Sequence, residues 1–542
     1  MQWAKKMGSI SRDEGIAVAV DSVCNVYTTG YFNHLTDFNP GPGTFNMVSA
    51  GGMDIFITKL NSSGNLVWAK RMGGILSDYA NAITVDRSGN VYTTGYFYGT
   101  ADFDPGESTF NMTAGGFNDV FVSKLDSSGN FVWAKQMGGA SMDAGISLCI
   151  DTDGNLFVAG GFSDSADFNP DTLRIHSFNA NGAYDFFIVK LDFSGNFIWA
   201  RSIGGIDDDY VNSIKTDQSG NLYVVGAFSD VVDFDPGESK HYLTVTGLRD
   251  IFVIKLDTVG NLVWVKQISG TEYGGCSSLA LDLLGNIIFT GWFSGTTDYD
   301  PGPGTFNKTS FGGADIFIAK LDTSGKMIWA KTVGGILNDI GSGVDVDKNG
   351  AVYATGYFGD VVDFDPGAAE YQLFGSGEFE IYILKLDSTG NLDWALSLGG
   401  PYSDYSRALA VDVSGSVITT GSFVASADFD PGDGVYFLTS TGASDIIVHK
   451  MSQGTSGIND YTYNNNINIY PNPNSGIINI DINGIRNNIY VQILNSTGQI
   501  VLEENLNSIT SALNIQHLTD GLYLIKIISD NSIIATQKII KQ

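Results

Sequence analysis

From the first residues to about position 451, apolar and polar side chains alternate in short runs separated by turn signals, and no run has the length or 3.6-residue apolar spacing of a helix. One stretch shows the pattern most clearly. Ala82–Asp86, Asn90–Phe97, Asp119–Leu125 and Asn130–Met137 are rich in β-branched and aromatic residues and read as four strands. The first and last pairs are joined by Asp86-Arg-Ser-Gly-Asn90 and Asp126-Ser-Ser-Gly-Asn130. Such links suit tight hairpins with a left-handed glycine beside a bulge. The spacing predicts a four-stranded antiparallel meander. A sheet of this kind cannot bury both faces alone, so it must stack on copies of itself.

The copies are present. A tryptophan of the fourth strand recurs at Trp3, Trp68, Trp133, Trp199, Trp264, Trp329 and Trp394, at spacings of 65 or 66 residues. A tetrad like Asp-Phe-Asp-Pro keeps the same beat, beginning at Asp37, Asp102, Asp167, Asp233, Asp298, Asp363 and Asp428. A fixed period implies stacked or circularly arranged units, and radial repetition of four-stranded sheets gives a β-propeller. Seven tryptophan strands but only six third-to-fourth turns leave one strand over, at Trp3 to Met7. It is expected to pair outside the last third strand, Asp445 to Met451. The predicted fold is all-β: a seven-bladed β-propeller closed by the N-terminal strand over residues 1–451, then a small immunoglobulin-like β-sandwich.

Each unit carries the series W-x-K-x-x-G-G, then D-x-x-G-N-x-Y-x-T-G-x-F and D-x-F-I-x-K-L-D-x-x-G-N, with variations. This series resembles the β-propeller repeat called SBBP over roughly residues 2–451. The resemblance implies a fold and an extracytoplasmic setting, not one reaction.

After Met451 a polar segment, 452–466, reads as a linker. From about Ile467 the repeats stop, and seven or so short Ile-rich strands suggest a small sandwich over 467–542. Its motifs are Tyr470-Pro471-Asn472-Pro473, Ser496-Thr497-Gly498, Gly521-Leu522-Tyr523 and Lys538-Ile539-Ile540-Lys541. In order and spacing they resemble the type A C-terminal sorting domain of the type IX secretion system. That resemblance implies the secretion machinery as a partner and a secreted or outer-surface location. The opening MQWAKKMG begins directly on a strand, without the regions of a signal peptide. The export route therefore predicts a true start upstream of it.

The formal net charge is −30, with 59 acidic against 29 basic residues. Phosphate binding needs a basic footprint, which excludes nucleic acid as an expected partner. No stretch is long and apolar enough to span a membrane. Lysines fall at two repeat positions, one of them Lys59, Lys124, Lys190, Lys255, Lys320, Lys385 and Lys450, and read as structural partners of the periodic aspartates. Cys24, Cys149 and Cys276 occupy different repeat positions and form neither a disulfide framework nor a metal-ligand spacing.

Strand parity places the long connections, between second and third strands and between successive units, on one face. Binding residues favour loops on a rigid scaffold, so this insertion face is the candidate surface. Between an invariant glycine and phenylalanine at the end of each second strand the residue varies: Tyr31, Tyr96, Gly161, Ala227, Trp292, Tyr357 and Ser422. The rings of Tyr31, Tyr96, Trp292 and Tyr357 are candidates to stack on sugars or aromatic ligands; packing between units is the structural alternative. Paired carboxylates on the sharp turns are candidate calcium ligands: Asp102 with Asp104, Asp233 with Asp235, Asp298 with Asp300, Asp363 with Asp365, and Asp428 with Asp430. The alternative there is an Asx turn. Asp151-Thr-Asp153-Gly154-Asn155 has a calcium-loop look but occupies an ordinary hairpin position.

Catalysis has little support. The five histidines share no repeat position, and no G-x-S-x-G, H-E-x-x-H or phosphate-cradling loop occurs. The sequence favours a non-enzymatic exported scaffold for surface binding or adhesion, with extracellular glycans or surface proteins as partners. The alternative is a secreted polysaccharide-binding protein, lectin-like and calcium-dependent, or a polysaccharide-degrading propeller enzyme.

Overall fold

The computed structural model describes residues 1–452 other than 172, 433 and 434, and in the tail 467–541 other than 471–475, 483–488, 496–498, 507–509, 520, 530 and 531. Every regular element among them is a strand, so no helix is long and apolar enough to cross a membrane. The chain divides into two compact units, Met1–Ser452 and Gln453–Gln542.

The first unit is a β-propeller-like array of antiparallel sheets, each built on four strands and three of them extended to six by short insertion strands. In the second sheet the strands are Tyr79–Val85, Val91–Phe97, Asp119–Leu125 and Phe131–Gly139, paired in chain order. Its first strand starts earlier than the alternation implies, because a bulge between Ala80 and Ala82 lets pairing resume before Ala82. The second and third strands are buried on both faces, since a neighbouring sheet covers each side. The hairpin turns have one chemistry throughout: Asp86 Oδ1 accepts from the amides of Ser88 and Asn90, its Oδ2 from the Asn90 side chain, and Gly89 takes φ +80°. Asp151 makes the same bonds, so its loop is such a turn.

First strands touch in series from sheet to sheet, and the seventh (Tyr405–Val411) touches the first (Glu14–Val20). The seventh sheet is completed by Trp3–Met7, with Trp3 opposite Lys450 and Lys6 opposite Ile447. Three clasps hold neighbours together. Apolar clusters straddle each junction; one joins Phe157, Phe186 and Trp199 to Ile214, Leu222 and Phe252, with the Phe186 and Phe252 rings stacked at 5.1 Å. Each such side chain contributes ~1.5–3 kcal/mol when fully buried. Indole N–H groups reach the next sheet's last turn, as Trp68 to the Ser127 carbonyl at 3.2 Å. Insertion strands also pair with the preceding sheet, as Ala101 with Gly74 and Ala166 with Gly139.

The recurrent third-strand lysines are structural. Lys190, Lys320 and Lys450 pair with Asp151, Asp282 and Asp412 at 3.3, 2.9 and 2.7 Å. Lys59 and Lys124 lie over the Tyr27 and Tyr92 rings at 5.0 and 4.8 Å.

In the second unit, Ile467–Tyr470, Ile477–Ile482 and Thr510–Asn514 form one sheet. Ile500–Asn505, Ile489–Leu494, Gly521–Ser529 and Ser532–Lys541 form another. Ile478, Ile480, Val491, Ile493, Leu513, Ile525 and Ile527 share one core. Gly521 begins a strand, and Tyr523 is buried with its hydroxyl donating to the Thr519 carbonyl at 2.8 Å. Pro471, Asn472, Pro473 and Gly498 lie outside the described residues.

Candidate binding site

The Asp-Phe-Asp-Pro-Gly segments build themselves from local hydrogen bonds. Asp102 Oδ1 accepts from the amides of Asp104 and Phe110 at 3.0 and 2.8 Å, and Asp104 Oδ1 from Gly106 at 2.8 Å. Asp233 with Asp235, Asp298 with Asp300, Asp363 with Asp365, and Asp428 with Asp430 repeat these bonds. Asn39 and Asn169 serve where the second aspartate is missing. Phe103 is fully buried beneath its turn. The arrangement is an Asx turn anchored by a ring. Among the described residues no group of three or more His, Cys, Asp or Glu side chains stands close enough to hold a metal ion.

The variable second-strand residues meet different fates. Tyr31 is buried and donates its hydroxyl to Glu14, which Arg407 and Arg12 also bind at 2.6 and 2.8 Å. Tyr357 packs edge-on against Tyr405 and Phe379 at 4.9 and 5.3 Å. Trp292 lies across Gly275, whose missing side chain makes room for the indole. Tyr96 stacks on Tyr79 at 5.0 Å and lines a pocket of about 540 Å³.

That pocket draws on three successive sheets. Tyr96, Tyr98 and Asn118 come from the second; Met142, Ile146, Gly161 and Tyr184 from the third; Asp208, Tyr210 and Asn212 from the fourth. Tyr98, Asn118, Met142, Tyr184 and Asp208 sit on insertions or inter-sheet loops, on the face that strand parity assigns to the long connections. Gly161 opens the space. A Cβ there would come within 1.9 Å of the Tyr184 ring, so any side chain at that position excludes the tyrosine. Tyr96 and Tyr98 meet edge to face at 5.9 Å, and Tyr184 and Tyr210 are tilted at 5.7 Å. Asp208 is the charged residue of the lining; its Oδ2 accepts from the Tyr210 hydroxyl at 2.8 Å. Burial, and then its tyrosine neighbours, push the Tyr96 phenol up to about 12. Burial, and then Asp143, raise that of Tyr184 above its ordinary value. Both rings stay neutral.

Repeat-based reading points to Tyr96 but passes over Tyr98, Tyr184, Tyr210 and Asp208. The signal available is Gly161, one of three positions, with Ala227 and Ser422, where the series of ring-bearing residues lapses.

A family model described as a secretion system C-terminal sorting domain matches residues 468–542. A second, described as a beta-propeller repeat of the SBBP type, matches residues 67–99. The chain carries an SBBP propeller repeat and a type IX sorting domain. Residues 67–99 run from the fourth strand of the first sheet through the second strand of the next, so the SBBP unit straddles a junction between sheets.

An uncharacterized WD repeat-containing protein of Acanthamoeba polyphaga mimivirus, L264, is 23% identical over 509 residues, covering 78% of this chain and 36% of that protein. The regulatory protein FlaEY of Caulobacter vibrioides is 27% identical over 164 residues, covering 30% of this chain and 17% of its own length. The chain thus spans about a third and about a sixth of the length of these two relatives. Among solved structures, Sqt1 from Chaetomium thermophilum aligns at TM-score 0.39 and 10% identity, covering 83% of this chain and 99% of that one. PorZ of Porphyromonas gingivalis, a surface component of the type IX secretion system, aligns at TM-score 0.17 and 11% identity, covering 99% of each chain.

Proposed function

We propose that the protein is an exported seven-bladed β-propeller whose insertion face serves as a non-enzymatic binding or adhesion surface. An immunoglobulin-like sorting domain hands it to the type IX machinery. The observation that carries the reading is the pocket itself: three sheets contribute to one concave, tyrosine-rich site on the loop-bearing face. Pockets of this size with a few convergent polar groups are the usual form of a binding site. Export is supported by the sorting-domain match over residues 468–542.

Deleting residues 468–542 is expected to leave the protein inside the cell, whereas the full chain reaches the medium or outer surface. Exported protein bearing Tyr98→Leu and Asp208→Asn is expected to fold normally but lose attachment to cell-surface material. Unchanged attachment would remove the pocket from the mechanism. The lectin or polysaccharide-degrading alternative draws on the same tyrosine rings. A glycan panel run with and without EDTA separates the two readings: chelator-sensitive binding, or cleavage of any polymer, favours the alternative.

A further inference from the structure

We propose that the tyrosine-lined pocket takes an organic cation, an alkylated ammonium group of the kind borne by choline or trimethyllysine. This deepens the binding reading above and rests on it. Tyr96, Tyr98, Tyr184 and Tyr210 line the site from three different sheets. Their planes diverge, 73° between Tyr96 and Tyr98 and 37° between Tyr184 and Tyr210, so they do not form one flat platform. A stacked sugar asks for such a platform together with free hydrogen-bonding groups. Here one N–H of the Asn118 amide is already given to the Asp143 carbonyl at 2.7 Å. An ammonium group asks instead for ring faces on several sides, because each carries negative quadrupole charge.

The electrostatics point the same way. Asp208 supplies a carboxylate at the wall, fixed by the Tyr210 hydroxyl, and no lysine or arginine lines the pocket. The chain as a whole carries −30. Beside the pocket the Arg249 guanidinium already sits 4.8 Å from the centre of the Tyr210 ring, which leaves the Tyr96, Tyr98 and Tyr184 rings to receive a bound cation.

The test is calorimetric titration of the full chain with choline and with a trimethyllysine peptide. Its controls are 3,3-dimethyl-1-butanol, the neutral isostere of choline, and methyl glycosides. Choline or the peptide should bind, and which of them binds better identifies the free or the peptide-borne source. The isostere should bind at least about tenfold more weakly, the margin expected of a desolvated cation–π site. Asp208→Asn, at a half-exposed position, and Tyr98→Leu should each weaken binding while circular dichroism stays unchanged. Equal binding of the isostere would overturn the proposal in favour of a merely apolar pocket. Binding of a methyl glycoside in place of choline would overturn it in favour of carbohydrate. If no probe binds but Tyr98→Leu still abolishes surface attachment, the ligand class falls and the binding reading stands. If attachment also survives, both fall.

Discussion

The indole of Trp3 donates to the carbonyl of Ser62 at 3.0 Å, the bond that Trp68 makes to Ser127 and Trp329 to Ser388. Trp3 belongs to the outer strand of the seventh sheet and Ser62 to the last turn of the first. The junction joining the chain's beginning to the last repeat is therefore fastened like the internal ones. Trp3 is only 8% exposed, so Trp3→Ala should cost ~3–5 kcal/mol of propeller stability. Trp3→Phe keeps most of the packing and loses the hydrogen bond, for ~1 kcal/mol. Urea unfolding of the two variants checks both figures; a Trp3→Phe variant as stable as the native chain would show that the indole bond does nothing.

Stability should fall as pH rises through neutrality. Asp78, Asp143, Asp209, Asp339 and Asp404 are each pushed up to about 7, first by burial and partly by a second carboxylate on the third strand of the preceding sheet. Gly73 shows the geometry: a point on its Cβ position lies 2.7 Å from Asp54 Oδ1 and 3.0 Å from Asp78 Oδ2. Asp54 Oδ1 is buried without a hydrogen-bond partner, and a proton between the two carboxylates would satisfy it. The folded state then binds more protons than the unfolded chain between the ordinary value of 3.8 and about 7. The contribution is complete below that window and lost as pH passes about 7. Melting temperature should drop by several degrees from pH 5 to pH 8. Asp54→Asn, which puts an amide donor against Asp78, should flatten part of that slope.

Gly161→Ala should damage the pocket without touching any tyrosine. The new methyl would collide with the Tyr184 ring and force it from its seat, an overpacking cost of ~1–3 kcal/mol. Choline titration and near-ultraviolet circular dichroism would register the displacement together. A variant with native stability and native binding would show that Tyr184 has room to move.

Chelation should leave the melting curve unchanged, because backbone amides occupy the Oδ1 atoms of Asp102 and Asp104. Asp102→Asn preserves the acceptor and should be nearly silent. Asp102→Ala strands two amides, at ~1–3 kcal/mol where they are buried and less where water reaches them. A melting shift with EDTA that added calcium reverses would return these aspartates to the role of ligands.

What sequence reading reaches here is whatever repeats. The period of the tryptophans, the D-x-x-G-N turns and the alternation of Val91–Phe97 all follow from physics that each unit must satisfy on its own, so each appears seven times or nearly so. The count of turns even leaves Trp3–Met7 unpaired, and its partner is the strand ending at Met451. The pocket obeys the opposite logic. Tyr98, Tyr184 and Asp208 matter through their meeting across three sheets, and nothing in their own repeat positions marks them. Paired aspartates are ambiguous for a related reason: D-x-D-P-G writes an Asx turn and a cation loop with the same letters, and the amide partners show the turn.

The strand Trp3–Met7 precedes the other strands of its unit in the chain, and its partner Asp445–Met451 follows them. Until that late segment arrives, the opening strand has no edge to join and the first and seventh sheets have no shared boundary. The junction between those two sheets therefore cannot close before the last repeat is made.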